Sequence, residues 1–300
     1  MRRSLPRFDV VLFDIDNVLI DTRASYLAAI QKTVEIYLDR PGIVSLKEID
    51  QFKLLGGFND DWDSCFGIIT FLRTALQGKP IRFGDHRRHR QSISELGKTF
   101  PERPLGVEGL LKRLRVLYEH VETPSYQKVA RIFQKVYLGR RLIEKERLVF
   151  PKSILQKIKR QGIRLGVVTG RNHFEAEYAL KRFRILKLFE VIVTIDDVRR
   201  AEKKQGRPLR KPNPWPLLEA ARRFQKMSRI SSPRYLYVGD LPDDILAAGR
   251  AKRSLNIKSA AFIVMARNPS LTLQEMKRAR PDFLLKSPAG ILKILPFKFR

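Results

Sequence analysis

Six short apolar runs stand apart along the chain, at residues 10–13, 165–168, 191–194, 235–238, 260–264 and 283–285. Each is too short for an amphipathic helix and reads as a buried strand. Between the later runs the apolar positions take helical spacing, at residues 174–184, 215–224, 243–250 and 273–278. Strands that alternate with helices predict βαβ units and a parallel sheet. The alternation holds from about residue 149 to the C-terminus and takes in the 10–13 run as its first strand. The stretch between differs. Tyr26, Leu27, Ile30, Val34, Tyr37 and Leu38 recur with helical period, as do Leu110, Leu111, Leu114 and Leu117. That stretch shows no series of strand-like runs. It reads as a largely helical insertion between the first strand and the second. Residues 78–90 and the segment holding Pro101, Pro104 and Gly106 read as loops inside it.

Composition narrows the class. A chain of 300 residues with 43% apolar content can bury a sizeable core in one or two domains. The single cysteine, Cys65, rules out an internal disulfide and a cysteine zinc cluster, and reads as structural. Asp9, Asp14 and Asp16 interrupt any signal-peptide core, and no run approaches the ~18 apolar residues of a membrane span. The expected location is the cytoplasm, with no membrane partner. A net charge of +29 invites a nucleic-acid reading. The cations are scattered along the chain, however, and no RNA motif, helix-turn-helix or zinc finger organises them. A basic solvated surface is the plain reading. Attraction of anionic substrates and adhesion to nucleic acid compete with it. His86, His89, His120 and His173 form no metal set.

In open α/β sheets, ligands bind beyond the carboxyl ends of the strands. Here those ends carry the polar chemistry. The first run leads into Asp14-Ile15-Asp16. Side chains two apart on a strand share one side, so two like charges meet in one small space. That suits a carboxylate nucleophile beside a carboxylic acid, although a cation site or a surface pair would also read this way. The second run leads into Thr169-Gly170-Arg171-Asn172, where a hydroxyl and a glycine N–H could grip a phosphate oxygen. Lys211-Pro212-Asn213-Pro214 opens a helix and fixes an ammonium near its start. The fourth run leads into Gly239-Asp240-Leu241-Pro242-Asp243-Asp244, a carboxylate group suited to Mg²⁺. Asp243 reads as a first-turn helix residue.

In this order the set D-x-D, Thr-Gly, Lys-Pro and Gly-Asp-x-x-x-Asp resembles the haloacid dehalogenase superfamily, over nearly the whole chain. The resemblance implies an α/β fold: a Rossmann-like, doubly wound parallel sheet core of residues 1–22 and 149–300. It also implies that residues 23–148 are an inserted α-helical C1 cap domain. By that resemblance Asp14 is the nucleophile that forms an aspartyl-phosphate, and Asp16 is the general acid and base. Asp16 also separates phosphate chemistry from carbon–halogen cleavage, since the true dehalogenases lack it. Thr169 and Gly170 hold a phosphoryl oxygen and Lys211 offsets charge. Mg²⁺ is bound by Asp14, Asp240 and the Asp16 backbone carbonyl, with Asp244 in support. Asn17 stands where the superfamily usually has glycine, and asparagine is the side chain best able to take a positive φ there.

Gly56-Gly57-Phe58-Asn59-Asp60-Asp61-Trp62 has two readings. Asn59, Asp60 and Trp62 could form a substrate loop that closes over the site. Alternatively the stretch is a helix–helix turn with an aspartate cap and Trp62 in the core. With Tyr137-Leu138-Gly139, it resembles a phosphoglycolate-phosphatase-like subgroup. Arg171 and Asn172, next to the expected phosphate, are candidate substrate contacts. The function implied is Mg²⁺-dependent hydrolysis of a phosphomonoester of a small phosphorylated metabolite. A phosphomutase of the same fold, and a basic protein that binds nucleic acid or dephosphorylates its ends, are the alternatives.

Overall fold

The computed structural model of the chain describes residues 8–58, 60–75, 106–139, 141–227, 232–266 and 269–295. Asn59, His86, His89, Pro101, Pro104 and the expected loop at 78–90 lie outside the described residues. The chain forms two compact units, Met1–Asp21 with Arg147–Arg300, and Thr22–Glu146.

The first unit is built on a sheet. Its strands are β1 (Val10–Phe13), β4 (Arg164–Val168), β5 (Val191–Val193), β6 (Tyr235–Gly239), β7 (Ile257–Phe262) and β8 (Phe283–Leu285). They lie in the order β5-β4-β1-β6-β7-β8, every neighbouring pair parallel. The chain works outward from β1 on one side, then returns to its other side. β1 is therefore the switch point of a Rossmann-like, doubly wound sheet. Both faces are covered, as continuous apolar strands require. Phe13, Val167 and Val238 pack on one face; Leu12, Val168 and Tyr237 pack on the other. The covering helices are α6 (Lys152–Arg160), α7 (His173–Arg182), α8 (Ile195–Gln205), α9 (Trp215–Lys226), α10 (Pro242–Ala251), α11 (Pro269–Ala279) and α12 (Ile291–Ile294). A second, two-stranded sheet pairs β2 (Ile20–Asp21) antiparallel with β3 (Arg147–Leu148), where the chain leaves this unit and where it returns. Thr194 proves not to extend β5; it caps α8, with its N–H donating to Asp197 Oδ2 at 3.0 Å.

The second unit is helical: α1 (Tyr26–Leu38), α2 (Leu46–Lys53), α3 (Asp61–Ala75), α4 (Gly106–Leu117) and α5 (Tyr126–Gly139). No strand occurs among its described residues. Helices of this kind owe their stability to a buried apolar stripe rather than to propensity. Here that stripe is Ile30, Val34, Phe52, Phe58, Phe71, Leu114 and Phe133, with Cys65 buried among them. Tyr26 and Tyr137 stack at 4.6 Å between α1 and α5. Among the described residues, no helix is long and apolar enough to cross a membrane.

Candidate active site

The register of the sheet assembles the site. Leu12 lies opposite Tyr237, and Phe13 lies between Val167 and Val238. The next residue, Asp14, keeps the ladder by donating its N–H to Val238 O at 2.9 Å. Strand alternation puts its side chain on the side of Leu12 and Tyr237. After it the chain turns: Asn17 has φ +54° and donates its N–H to Ile20 O at 2.7 Å. The left-handed turn that glycine usually serves is thus made by asparagine.

Lys211 enters this space from the segment before α9. Its Nζ lies 2.7 Å from Asp244 Oδ1, 3.0 Å from the Tyr237 hydroxyl and 3.3 Å from Asp14 Oδ1. Tyr237 in turn donates to Asp244 Oδ1 at 2.8 Å, and Leu241 N–H donates to Asp244 Oδ2 at 3.0 Å. Asp244 therefore anchors the lysine. Its return onto the strand end demands Gly239, where a Cβ would come within 2.2 Å of Asp244 Cβ. Asp14 Oδ1 is different. It is buried and near the ammonium, but no hydrogen bond reaches it in good geometry.

Carboxylate oxygens of Asp14, Asp240 and Asp244 all lie within 4.8 Å of one another. Burial pushes the Asp14 carboxyl up to about 7, helped by the charges of Asp244 and Asp16 and opposed by Lys211. Burial works against the Lys211 ammonium as well, but Asp14 and Asp244 outweigh it and hold its pKa well above the usual value. The cation is thus secure and Asp14 is the group under strain. Three carboxylates against one ammonium leave two formal negative charges, which a divalent oxygen-seeking cation would cancel. The Asp14 oxygen without a hydrogen bond and the three clustered carboxylates fit Mg²⁺.

Asp16 takes another direction. Its Oδ1 accepts from Arg171 Nε at 2.8 Å and lies 2.7 Å from Arg171 Nη2. Its side chain is outside the carboxylate group and turned onto Arg171, not into the space of Asp14 as the two-residue spacing predicts, because β1 has already ended at Phe13. Thr169 is buried at the end of β4, and its Oγ1 accepts from Arg171 N–H at 3.1 Å. Gly170 follows it. Asn172, expected against substrate, spends its Oδ1 as the cap of α7, accepting from Glu175 N–H at 2.9 Å. Asp243 falls in the first turn of α10 as expected, but is fully buried.

The other candidates belong to the helical unit. Gly56 and Gly57, with φ +79° and +77°, turn the chain from α2 into α3. Asp60 Oδ1 accepts from Trp62 N–H at 2.8 Å at the head of α3, and Trp62 is half-buried, edge-on to Tyr126. The turn-and-cap reading accounts for both residues. Tyr237 was not among the residues picked out by motif. It reads in sequence as one more strand residue; only its alternation with Gly239, on the side of Asp14, hints at its place.

The family model of the haloacid dehalogenase-like hydrolases matches residues 8–252. This chain belongs to that family. A pyrophosphatase PpaX of Bacillus thuringiensis is 30% identical over 157 residues, 51% of this chain and 61% of that one. A protein named PpaX from Caldanaerobacter subterraneus is 32% identical over 146 residues, 48% of this chain and 56% of that one. The chain therefore spans only a little over half the length of the curated relatives it matches. Among solved structures, the phosphatase Tt82 of Thermococcus thioreducens aligns with TM-score 0.54 at 25% identity, over 88% of this chain and 98% of that one. A predicted phosphoglycolate phosphatase of Haemophilus somnus aligns with TM-score 0.59 at 19% identity, over 97% and 99%. That second likeness is one of haloacid dehalogenase-like fold.

Proposed function

We propose that the protein is a Mg²⁺-dependent phosphatase that takes a phosphoryl group from a small phosphorylated metabolite through an aspartyl-phosphate. One observation carries this reading: at the sheet's switch point, buried Asp14 presents an oxygen without a hydrogen bond, 3.3 Å from Lys211 and beside Asp240 and Asp244. That is the arrangement a nucleophilic carboxylate needs, with its charge opposed by a fixed ammonium.

Asp14 attacks phosphorus, and the bond from phosphorus to the leaving oxygen breaks. The leaving oxygen takes a proton from Asp16. Asp16 then accepts a proton from water, whose oxygen attacks phosphorus. The bond to Asp14 breaks, and inorganic phosphate leaves. The Thr169 hydroxyl and the Gly170 N–H hold phosphoryl oxygens meanwhile. Lys211, fixed by Asp244 and Tyr237, offsets the charge on nucleophile and phosphoryl group. Asp14, Asp240, Asp244 and the Asp16 carbonyl are the groups that would hold Mg²⁺, which when bound neutralises charge on the transferring group. The helical unit, inserted after the first motif, is assigned substrate selection as a C1 cap.

The test is phosphate release from a panel of small phosphomonoesters that includes phosphoglycolate, with inorganic pyrophosphate added because PpaX relatives carry that name. Wild type and Asp14→Asn are run with and without Mg²⁺. The expected result is metal-dependent release that falls by at least about 10³-fold in the variant. No release from any substrate by folded wild type, or release that survives Asp14→Asn, overturns the reading.

A further inference from the structure

We propose that Arg171 is a positioning residue for Asp16: its guanidinium grips one oxygen of the acid/base carboxylate and aims the other at the leaving group. The inference rests on the phosphatase reading above and reassigns Arg171 from the substrate contact that its place after Thr169-Gly170 suggests.

The geometry points this way on three counts. First, both contacts fall on a single oxygen. Arg171 Nε and Nη2 lie 2.8 and 2.7 Å from Asp16 Oδ1, so the two nitrogens converge on one atom. A guanidinium that merely neutralised a surface carboxylate would gain more by gripping both oxygens, as the planar fork allows.

Second, Arg171 is itself immobilised. Its side chain is 1% exposed. Its N–H donates to Thr169 Oγ1 at 3.1 Å, and its carbonyl accepts from Ile195 N–H at 3.0 Å. A buried arginine is costly to desolvate and is retained where a partner compensates. This one is fixed by the same residue that is proposed to grip phosphate, so the phosphate grip and the acid/base group share one anchor.

Third, Asp16 needs an anchor. Its side chain is 27% exposed, and it opens the turn made by Asn17. A short exposed carboxylate there would exchange among staggered rotamers. Holding it before substrate arrives removes that freedom from the barrier. Asp14 needs no such device, because burial, Lys211 and the strand already fix it.

The experiment compares Arg171→Ala, Arg171→Lys, Asp16→Asn and the double variant Asp16→Asn/Arg171→Ala, with wild type and Asp14→Asn beside them. Two substrates are used: the best alkyl phosphate from the panel and 4-nitrophenyl phosphate, whose leaving group needs less help from a proton. Thermal melts establish which variants fold. Arg171→Ala is expected to lower kcat by about 10- to 100-fold on the alkyl ester. The loss is smaller on the nitrophenyl ester, and KM stays within about two-fold. Arg171→Lys recovers part of kcat. The double variant is no slower than Asp16→Asn alone, since Arg171 acts through Asp16. A raised KM at unchanged kcat would make Arg171 a substrate contact. Equal losses on both esters, or losses that add in the double variant, overturn the proposal also. If Arg171→Ala does not fold, Arg171→Lys carries the same comparison of esters. Wild type without activity, or an active Asp14→Asn, sinks the phosphatase reading itself, an outcome distinct from the others.

Discussion

Glu146 in the helical unit and Asp14 in the sheet unit are both sealed from water, at 2% exposure each. Glu146 Oε1 accepts from the Ser25 hydroxyl at 3.0 Å and the Tyr137 hydroxyl at 3.2 Å. Two other buried hydroxyls of that unit are paired as well: Ser64 donates to Phe58 O at 2.9 Å, and Thr70 donates to Phe66 O at 2.8 Å. Asp14 shares its space with two further carboxylates and one ammonium, and its Oδ1 accepts no hydrogen bond. Buried polar groups are ordinarily satisfied, because an unsatisfied one costs the full desolvation of that group. Burial therefore does not separate the two carboxylates. What separates them is whether the protein itself completes the site. Glu146 is complete and belongs to the scaffold. Asp14 is not, and on the function proposed above it is Mg²⁺ that would complete it.

The sharpest way to break that contrast is to neutralise Asp14 and measure stability rather than activity. Its pKa is raised in the folded state, from the usual carboxylate value to about 7. The folded protein thus binds more protons than the unfolded chain between about pH 4 and pH 7, and metal-free stability falls as pH rises through that window. Removing this penalty, Asp14→Asn should be more stable than metal-free wild type at pH 8, by up to about 4 kcal/mol, and no more stable at pH 4. Mg²⁺ should raise the wild-type melting temperature and not the variant's. Melts at the two pH values, with and without metal, check all of it. A variant less stable than wild type at pH 8 would place Asp14 with Glu146.

Glu146→Ala should do the reverse. It removes from a buried site the acceptor that the Ser25 and Tyr137 hydroxyls share, although Ser25 keeps Thr22 O at 3.1 Å, and the loss should be about 1–3 kcal/mol at every pH where the chain folds. Denaturant titration reads it. Activity per folded molecule should stay near wild type. A loss of activity without a loss of stability would show that this carboxylate, too, serves the chemistry.

The two carboxylates also differ in how plainly the sequence announces them. Asp14 is legible from its place at the end of an apolar run, but the two-residue spacing misplaced Asp16: β1 ends at Phe13, and the Asp16 side chain turns onto Arg171 instead of crowding Asp14. The six apolar runs make the parallel sheet legible because they are too short for helices and alternate with helical spacing. Asn17 was expected to make a left-handed turn because it stands where the superfamily usually has glycine, and it has φ +54°. Other features stay hidden. Arg171 and Asp16 are 155 residues apart, and no local pattern ties them. Tyr237 looks like any aromatic in a strand until its hydroxyl is found on Lys211. α6 and α8 escape because they are so polar: only Leu155 and Ile158 of the first, and Ile195 and Val198 of the second, are buried. A stripe of two is too thin for periodicity to register. The two-residue strands β2 and β3 are shorter than any pattern can carry.

The smallest expected effect tests whether self-completed carboxylates in the sheet unit behave as Glu146 does. Asp197, in the first turn of α8, accepts from Thr194 N–H at 3.0 Å and from Arg223 Nη2 at 2.7 Å, with Arg200 Nη2 at the same distance. Burial works against its charge, but the Thr194 bond and the two arginines prevail and hold the carboxyl below its usual value. A carboxylate with a depressed folded pKa adds stability above its unfolded pKa and loses it as pH falls through the folded one. The contribution should therefore be present at neutral pH and fade below about pH 4. Arg200 is exposed and Arg223 half-buried, so screening keeps it at or below about 1 kcal/mol. Asp197→Asn should lower the melting temperature slightly at pH 7 and not at all near pH 3. Salt should shrink the difference further. Asp14→Asn moves the other way across the same range. If Asp197→Asn instead stabilised the protein at neutral pH, charge in the sheet unit would be unfavourable wherever it lies. The strain at Asp14 would then reflect that unit's electrostatics as a whole rather than a site awaiting its ligand.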